Sequence, residues 1–367
     1  TVRWKNVVAG DDHACALTLQ GQAFCWRAGS GPPRRVPDAP ALATITVGSS
    51  RSCDDAGMPG CEDAGLMHAC GLDPEGLAYC WGHNLDGQLG DGTTVDRERA
   101  GPAAAGLRFR SISAGSAFTC AVSTDNVAYC WGFNGKGNLA LGSVDDSPHP
   151  QPRAIGRGVM TVAAGIDFAC ALDLEGNPFC WGDDHRARLG SDAALPAGLA
   201  TTPVPLNGTH RFASLSAGRA HACGVTSSGG TLCWGSNADG ELGSPLELPS
   251  AQRDPVEVAA PHLKAVSAGG GHTCGIAKDD AAWCWGDNRR GQVGTRDGEV
   301  ERCAAEPCPS KPARVAGGAR FRAVATGNEF SCGVTQSGEL LCWGVRSAAG
   351  ASSDIDIPTR VRDPVNR

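Results

Sequence analysis

Long apolar segments are missing from this 367-residue chain: no run of 18 apolar residues occurs, so nothing predicts a helix that spans a bilayer. Positive charge is not in excess either, because 32 Lys and Arg residues stand against 39 Asp and Glu residues and give a net charge of −7. That balance argues against a protein built to hold nucleic acid, which would carry a basic face or stripe. We therefore expect neither a membrane span nor a nucleic-acid partner.

Three catalytic signatures are also missing. The sequence contains no P-loop for a nucleotide phosphate, no G-x-S-x-G for a hydrolase nucleophile and no H-E-x-x-H for a zinc protease. We therefore expect no catalytic residue, no cofactor and no metal site. The chain begins at Thr1 without Met and without a signal-like apolar stretch, which we interpret as a processed or trimmed product.

Cysteine and glycine, in contrast, are abundant, with 18 and 51 residues. An even and high number of cysteines indicates paired thiols in an oxidising compartment, or reactive or metal-binding thiols in the cytosol. Their spacing decides between these, because the cysteines belong to an internal repeat. Seven copies of a pattern that begins with two cysteines ten positions apart, the second followed by Trp, cover residues 15–29, 70–90, 120–142, 170–190, 223–243, 274–294 and 332–350.

Each copy predicts four short strands. The first ends in a small-residue turn, as in WKNVVAG (4–10), and the two cysteine-bearing strands that follow are joined by a Gly, Asn or Asp turn typical of a hairpin. The fourth strand contains Pro, which suits an outer position. Four antiparallel strands per repeat of about 50 residues predict an all-β, seven-bladed β-propeller formed by residues 1–367 as one domain. We expect the two ends of the chain to meet and close the ring.

The pattern A-G-x-x-H followed by W-G-x-N-x-x-G-x-L-G resembles the repeat of the regulator of chromosome condensation (RCC1-like) family. The residues that match best are Gly82, Asn84, Gly87, Gln88, Leu89 and Gly90 in the second copy and Gly286, Asn288, Gly291, Gln292 and Gly294 in the sixth. The resemblance covers all seven copies and implies the propeller fold. It does not imply one function, because the family includes exchange factors, a plant ultraviolet receptor and a secreted bacterial inhibitor of β-lactamases.

Departures from the family pattern are informative. Copies one and seven lack the W-G-x-N loop, and copy four has Asp184 for Asn and Ala187 for Gly, so we expect altered outer loops there. The plant receptor has tryptophans in the G-x-x-H turn, whereas this chain reads GDDHA, GRAHA and GGGHT, which argues against a photoreceptor. We interpret the chain as a secreted, disulfide-rich member of bacterial type.

The cysteine spacing predicts structural disulfides. Residues i and i+10 lie opposite each other when the hairpin turn is centred on i+5, with their Cβ atoms close enough for a bridge. Zinc ligands would be two to four residues apart and a redox pair would be C-x-x-C, and neither spacing occurs in the repeat. We therefore expect a secreted, periplasmic or cell-surface protein with nine bridges: Cys15–Cys25, Cys53–Cys61, Cys70–Cys80, Cys120–Cys130, Cys170–Cys180, Cys223–Cys233, Cys274–Cys284, Cys303–Cys308 and Cys332–Cys342.

Other polar residues have structural explanations. Histidine stands two residues before the first cysteine in four copies (His13, His68, His221 and His272), and phenylalanine replaces it in the other three (Phe118, Phe168 and Phe330). A ligand or general base cannot be exchanged for Phe, so we expect these rings to fill a slot between blades. The loops at 83–90 and 236–243 resemble calcium loops only faintly, since glycine occupies the place of an oxygen ligand.

Two insertions break the repeat, at 49–67 and 295–311, and each contains its own cysteine pair. They lie in a first-to-second and a third-to-fourth connection, which share one end of an up-and-down blade. We predict that another protein binds this face, since rigid frames hold binding loops and stiffened loops lose less entropy on binding. The candidate contacts carry both signs of charge: Arg51, Asp54, Asp55, Glu62, Asp63, Arg296, Glu299, Glu301 and Arg302.

Two alternatives remain open at this point. One is a carbohydrate-binding or hydrolytic propeller with its site in the central channel, although the strand ends offer small apolar residues and Phe133 is nearly the only aromatic residue in a G-x-N loop. The other is a structural role, in which discs stack or tile on a cell surface. Tolerated insertions without any function are also compatible with the sequence.

Overall fold

The computed structural model describes residues 2–28, 31–49, 67–244, 248–295, 311–345 and 355–364. These residues form seven antiparallel sheets of four strands, and in every sheet the strands lie side by side in chain order. The first strands of successive sheets contact each other, and the first strand of the seventh sheet contacts that of the first. The first strands therefore line the axis of a seven-bladed β-propeller, as the repeat predicted.

The four strands of each blade have these bounds. Blade 1 contains Trp4–Ala9, His13–Thr18, Ala23–Arg27 and Arg34–Arg35, and blade 2 contains Thr44–Val47, Ala69–Leu72, Ala78–Gly82 and Arg97–Ala103. Blade 3 contains Phe109–Ala114, Phe118–Ser123, Val127–Asn134 and Asp145–Arg157, and blade 4 contains Val159–Ala164, Phe168–Asp173, Pro178–Asp183 and Leu199–Pro205. Blade 5 contains Phe212–Ala217, His221–Thr226, Thr231–Ser236 and Ala251–Glu257, and blade 6 contains Leu263–Ala268, His272–Ala277, Ala282–Gly286 and Ala313–Arg314. Blade 7 contains Phe321–Thr326, Phe330–Thr335, Leu340–Gly344 and Ile355–Arg360, and two 3₁₀ turns, His185–Ala187 and Pro196–Gly198, lie in blade 4.

Blades 1 and 7 meet and close the ring, which confirms the expectation that the two ends of the propeller come together. The backbone N–H of Trp4 donates to the carbonyl of Gly338, and that of Asn328 donates to the carbonyl of Asp11, both at 2.9 Å. Among the described residues, blades 1 and 7 exchange no strand, since the four strands of each blade follow one another in the chain. Side-by-side packing, in which Trp4 and Phe330 share an apolar cluster, closes the ring instead.

Seven glycines lie in close contact around the axis, one just after the end of each first strand. A Cβ at each of them would lie 2.3–2.7 Å from the carbonyl oxygen of the corresponding glycine in the next blade. None of the seven has a positive φ, so close approach and not backbone conformation requires glycine here. The ring glycines are Gly10, Gly48, Gly115, Gly165, Gly218, Gly269 and Gly327.

Tryptophan side chains join neighbouring blades. The seven tryptophans after the second cysteines are all buried, as expected for blade packing. In five of them the indole N–H donates to a backbone carbonyl in the loop of the preceding blade, at 2.8–3.1 Å. The pairs are Trp131 with Gln88, Trp181 with Asn138, Trp234 with Arg188, Trp285 with Glu241 and Trp343 with Gln292. The W-G-x-N-x-x-G-x-L-G loop is thus a part of the joint between blades.

Seven disulfides connect the second and third strands, one in each blade, and confirm the pairing predicted from the ten-residue spacing. Their Cα atoms are 4.0–4.1 Å apart, because the two cysteines are direct cross-strand partners. The remaining two predicted bridges, Cys53–Cys61 and Cys303–Cys308, lie outside the described residues. In the part of the chain that the structure describes, no helix is long and apolar enough to cross a bilayer.

Removing one of these bridges with Cys223→Ala and Cys233→Ala is expected to lower the free energy of unfolding by about 2–3 kcal/mol, because the unfolded chain gains freedom. Urea unfolding without reductant at neutral pH measures the loss, and an unchanged midpoint would contradict the prediction. Alkylation of the native sequence without reduction provides the control. It should label no cysteine, and a labelled Cys274 or Cys284 would show that the blades are not all bridged.

Three of the four histidines are buried between blades, and the structure adds a partner to the predicted packing role. His68 Nε2 lies 3.0 Å from the Thr119 hydroxyl oxygen, His221 Nε2 lies 2.8 Å from that of Thr273, and His272 Nε2 lies 2.8 Å from that of Ser331. Each hydroxyl belongs to the next blade and donates onward to a loop carbonyl at 2.9 Å, so it accepts from the imidazole N–H. Burial lowers the pKa of His68 and His221 to about 3 and that of His272 to about 4.

The phenylalanines at the same repeat position have a different neighbour. Phe118, Phe168 and Phe330 are fully buried, and alanine replaces the hydroxyl residue in the next blade. Each ring shares an apolar cluster with that alanine, in the pairs Phe118 with Ala169, Phe168 with Ala222 and Phe330 with Ala14. The fourth histidine, His13, is only half-buried and contacts Asp12 at 2.5 Å.

Candidate binding face

One face of the ring contains the connections between first and second strands and between third and fourth strands. Because the strands of each sheet are antiparallel, these connections lie at the same edge of every blade. The described ends of both insertions lie there, Ser49 and Met67 in blade 2 and Thr295 and Lys311 in blade 6. We call this surface the insertion face.

The residues predicted to contact a partner lie outside the described residues. They belong to 50–66 and 296–310, and they comprise Arg51, Asp54, Asp55, Glu62, Asp63, Arg296, Glu299, Glu301 and Arg302. Their contribution to a site therefore stays a prediction. The described part of the insertion face contains a feature that was not predicted from the sequence, a cavity next to blade 6.

This cavity has a volume of about 450 Å³ and is formed by connections of blades 4, 5, 6 and 7. Arg289 spans its acidic side: the guanidinium donates to the Asp287 carboxylate at 2.9 and 3.0 Å and to Asp239 at 3.1 Å. The hydrogen bonds that Arg289 donates to Asp287 raise the pKa of Arg289, which stays charged. Burial, with the nearby Asp287, raises the pKa of the Asp239 carboxyl. The Arg289 guanidinium therefore holds two loops together and leaves an acidic wall.

Arg188 and Glu241 belong to the buried base of the cavity. Arg188 Nε donates to the His185 carbonyl at 2.8 Å, and the guanidinium lies 3.5 Å from Asp183 and over the Phe168 ring. Burial lowers the pKa of Arg188 and raises that of Glu241, whose carboxylate accepts the Asp239 backbone N–H at 2.8 Å. The backbone carbonyls of both residues accept the tryptophan N–H groups described above, so the base of the cavity is part of the joint between blades.

The lining chemistry suits a charged polar partner. Among the described residues of the lining, acidic and arginine side chains occur together with two glycines, Gly270 and Gly271, and no Phe, Tyr or Trp contributes. Sugar-binding sites place aromatic faces against the ring, so this cavity does not resemble one. In the described chain, no three His, Cys, Asp or Glu side chains come together in a way that could hold a metal ion.

At the level of the ring glycines, the central channel encloses a much smaller volume than the cavity next to blade 6. Its cavity there has about 50 Å³ and is lined mainly by glycine and alanine, as the strand ends had indicated. Ligand sites in proteins usually enclose about 300–1,000 Å³. In the loop at 83–90, which resembles a calcium loop, the Asn84 side-chain oxygen is already used inside the loop, because it accepts the Leu89 backbone N–H at 2.9 Å.

The fourth loop differs from the others as expected, but it keeps the same hydrogen bond. Its first part forms the 3₁₀ turn His185–Ala187, and Asp184 takes the place of Asn by accepting the Leu189 N–H at 3.2 Å. Ala187 has a φ of 60°, in the left-handed region where Gly87 and Gly137 stand in blades 2 and 3. An alanine there is strained, since its Cβ crowds the backbone.

Ala187→Gly is therefore expected to raise the free energy of unfolding by about 0.5–1 kcal/mol, because relief of the left-handed strain exceeds the entropy cost of glycine. Ala154→Gly, at an exposed position of the outer strand Asp145–Arg157, is the control and should lower stability by about 0.5–1 kcal/mol. Thermal unfolding of both variants measures the difference. Two variants with the same sign of change would contradict the prediction.

Comparison with known proteins agrees with this architecture. The family model described as the RCC1-like domain matches residues 61–366, and that of the regulator of chromosome condensation (RCC1) repeat matches residues 4–26. The ultraviolet-B receptor UVR8 of Arabidopsis thaliana is 30% identical over 146 residues, which cover 39% of this chain and 32% of the receptor. The probable E3 ubiquitin-protein ligase HERC3 of Homo sapiens is 30% identical over 143 residues, or 38% of this chain and 13% of the ligase. The matched region thus spans about one third or less of these relatives.

Solved structures confirm the fold. Prp20p from Saccharomyces cerevisiae, studied with its binding to Gsp1p and histones, superposes with a TM-score of 0.77 at 22% identity, over 99% of this chain and 88% of Prp20p. Human WBSCR16 superposes with a TM-score of 0.75 at 17% identity, over 92% of this chain and 86% of that protein. With the match over 61–366 and the repeat loop at the joints between blades, the chain belongs to the RCC1-like family of β-propellers.

Proposed function

We propose that this propeller is a non-catalytic scaffold that binds another protein through the insertion face. The observation that carries the proposal is that the described ends of both insertions and the cavity of about 450 Å³ lie on that one face. A rigid frame with loops at one edge is the usual arrangement of a recognition surface. Family members bind proteins, as Prp20p does with Gsp1p and histones.

The cavity supports a protein partner over a sugar or a small apolar ligand. Its wall offers carboxylates at Asp239 and Asp287 and guanidinium groups at Arg188 and Arg289, so it matches a surface that carries both signs of charge. Electrostatic complementarity of this kind gives specificity and speeds association. The insertions, with charges of both signs and a cysteine pair each, would extend the same surface over blades 2 and 6.

The compartment follows from the disulfides. Seven bridges in one chain favour an oxidising compartment, because cytosolic thiols are kept reduced. Within that class we propose a secreted, periplasmic or cell-surface protein. A partner should therefore be sought among proteins of the same compartment.

The test compares capture by the full chain with capture by a variant that lacks the first insertion. Replacing residues 49–67 with Asp-Asp recreates the first-blade sequence G-D-D-H-A-C, so the shortened connection has a native precedent in Gly10–Cys15. Immobilised proteins are incubated with native extract of the source, and bound proteins are quantified by mass spectrometry. The intact disc should enrich a partner that the shortened disc captures at least about tenfold less.

A matched control changes the other face of the same disc. Arg211→Gln removes an exposed charge on the opposite face and should leave capture unchanged. Asp239→Ala with Arg289→Ala, which empties the cavity of its central ion pair, should reduce capture as the shortened loop does. Equal capture by all four proteins, with thermal unfolding showing that each is folded, would refute the proposed function.

A further inference from the structure

Eight exposed cations gather at the opposite face, around the end of the channel where the first strands begin. They occupy two repeat positions, five and seven residues before the ring glycine, and form a ring in a chain whose net charge is −7. Position five contains Lys5, Arg110, Lys264 and Arg322, and position seven contains Arg3, Arg108, Arg211 and Arg320. We call this surface the turn face, because the turns between second and third strands lie there.

A β-bulge directs the position-five side chains. In six of the seven described blades the register between the first and second strands shifts at this residue. A bulge changes the direction of a side chain at a strand end. Lys5 Nζ donates to the carbonyl of Ala43 in the next blade at 2.9 Å, and Arg110 donates to the carbonyls of Val159 and Met160 in the next blade at 2.8 and 2.9 Å. Lys5 and Arg110 therefore reach across to the next blade, whereas Lys264 and Arg322 bind Asp280 and Thr335 of their own blades.

The position-seven arginines reach the preceding blade. Arg108 donates to the carbonyl of Glu75 at 2.7 Å, and Arg211 to that of Glu175 at 2.8 Å. Arg3 donates in the same way to the carbonyl of Ser337. These contacts explain why arginine recurs, but a neutral carbonyl does not compensate the charge of a guanidinium group.

Carboxylates compensate only part of the ring. Lys264 pairs with Asp280, Arg320 lies 3.7 Å from Asp279, and Arg211 lies 3.5 Å from Glu175. The hydrogen bonds described for the other five go to backbone carbonyls. These five residues form an arc from blade 7 through blade 1 to blade 3 that is interrupted at blade 2, where Ala41 and Ala43 occupy the two positions. The basic arc consists of Arg322, Arg3, Lys5, Arg108 and Arg110.

The surroundings of the arc narrow the choice of ligand. The turn of blade 1 inside the arc, residues 19–22, contains no acidic residue, and its Leu19 is 51% exposed beside Arg3. The turns of blades 2, 3, 4 and 7 present the carboxylates Glu75, Asp125, Glu175 and Glu339. An extended polyanion would meet these carboxylates, whereas a short segment could lie inside them.

We propose that the basic arc binds a short acidic peptide segment of another protein, with carboxylates on the arginines and Lys5 and an aliphatic side chain on Leu19. The site lies on the face opposite to the insertion face, so it is independent of the proposed function. Exposed ion pairs are individually weak and are screened by salt, so the affinity should be modest and should fall as ionic strength rises.

The test uses the full chain and a fluorescein-labelled peptide, EDELEDE, with fluorescence anisotropy at 20 and 200 mM NaCl. Lys5→Gln, Arg110→Gln and Arg322→Gln together should weaken binding about tenfold or more. The matched control, Arg34→Gln, Arg35→Gln and Arg153→Gln, makes the same change in net charge on exposed outer-strand residues and should weaken binding less than about twofold. The neutral peptide QNQLQNQ should not bind.

A second variant separates charge from folding. Arg110→Lys with Arg322→Lys keeps the charges and should retain binding within about threefold, while thermal unfolding reports whether each variant is folded. Absence of binding to EDELEDE at 20 mM NaCl, or equal loss in the arc variant and its control, would overturn the proposal. Tighter binding of a twelve-residue oligothymidylate than of the peptide would also overturn it, by assigning the arc to nucleic acid.

Discussion

Gly218→Ala is expected to prevent the ring from closing, with a loss of about 4 kcal/mol or more in the free energy of unfolding. A Cβ at residue 218 would lie 2.4 Å from the Gly269 carbonyl oxygen and 3.0 Å from the Ala268 carbonyl carbon. Backbone atoms of the next blade cannot move aside as a flexible side chain can, so blades 5 and 6 would have to separate. Separation breaks the hydrogen bond from Arg219 N–H to the Gly269 carbonyl.

Gly156→Ala provides the control for this change. Residue 156 is exposed in the outer strand Asp145–Arg157, and a Cβ there would have no heavy atom within 4 Å. Alanine should therefore keep or slightly raise stability at that position. Differential scanning calorimetry of both variants measures the contrast. If the Gly218→Ala protein unfolded within a few degrees of the native sequence, the contact between ring glycines would tolerate a Cβ and the prediction would be wrong.

Acid is expected to destabilise this protein steeply, and the three buried histidines are the cause. Above pH 6.5 they are neutral in both states, and their packing contributes in full. Below pH 6.5 the unfolded chain binds protons that the folded chain excludes, so unfolding becomes easier by about 1.4 kcal/mol per pH unit for each histidine. The loss continues until the pH reaches the folded pKa values, about 3 for His68 and His221 and about 4 for His272.

A paired substitution taken from the same chain should remove one third of this effect. His221→Phe with Thr273→Ala copies the Phe168 and Ala222 pair of the preceding joint. At pH 4 the double variant should be more stable than the native sequence by about 3 kcal/mol, and at pH 7.5 the two should agree within about 1 kcal/mol. Urea unfolding from pH 4 to 8 measures both.

The single variant His221→Phe provides the check on this interpretation. His221→Phe alone should be less stable than the double variant at every pH, because the larger ring meets the Thr273 hydroxyl and leaves it without its imidazole donor. Parallel pH profiles for the native and double-variant proteins would mean that His221 does not exclude protons in the folded state.

Much of the fold could be predicted because its determinants are local and repeated. The ten-residue spacing places Cys120 directly opposite Cys130, so pairing follows from the hairpin alone. The exchange of His for Phe correctly indicated a packing role. The hydroxyl partners were missed, because each lies 51–59 residues away from its histidine in the sequence. In the next copy of the repeat, the hydroxyl residue stands one position after the residue that aligns with the histidine.

The sites were harder to predict for the same physical reason. The cavity combines residues from four blades, such as Arg188, Asp239 and Asp287, which no single repeat brings together. The seven glycines were recognised only as small strand ends, since the contact that requires them is made to the next blade. The cations at position five were not recognised as a group from the sequence. The bulge that directs their side chains depends on the register of the first and second strands, which only the structure shows.

Because the base of the cavity is also part of the joint between blades, binding of a partner there should be coupled to the stability of the propeller. Arg188 and Glu241 line the cavity with their side chains while their carbonyls hold the indole N–H groups of Trp234 and Trp285. A partner seated there would bind only the closed arrangement of blades 4, 5 and 6, and at a concentration of 100 times its Kd it would add about 2.7 kcal/mol to the free energy of unfolding. Slower hydrogen exchange at the indole N–H groups of Trp234 and Trp285 would then show that the cavity is occupied, whichever partner is bound.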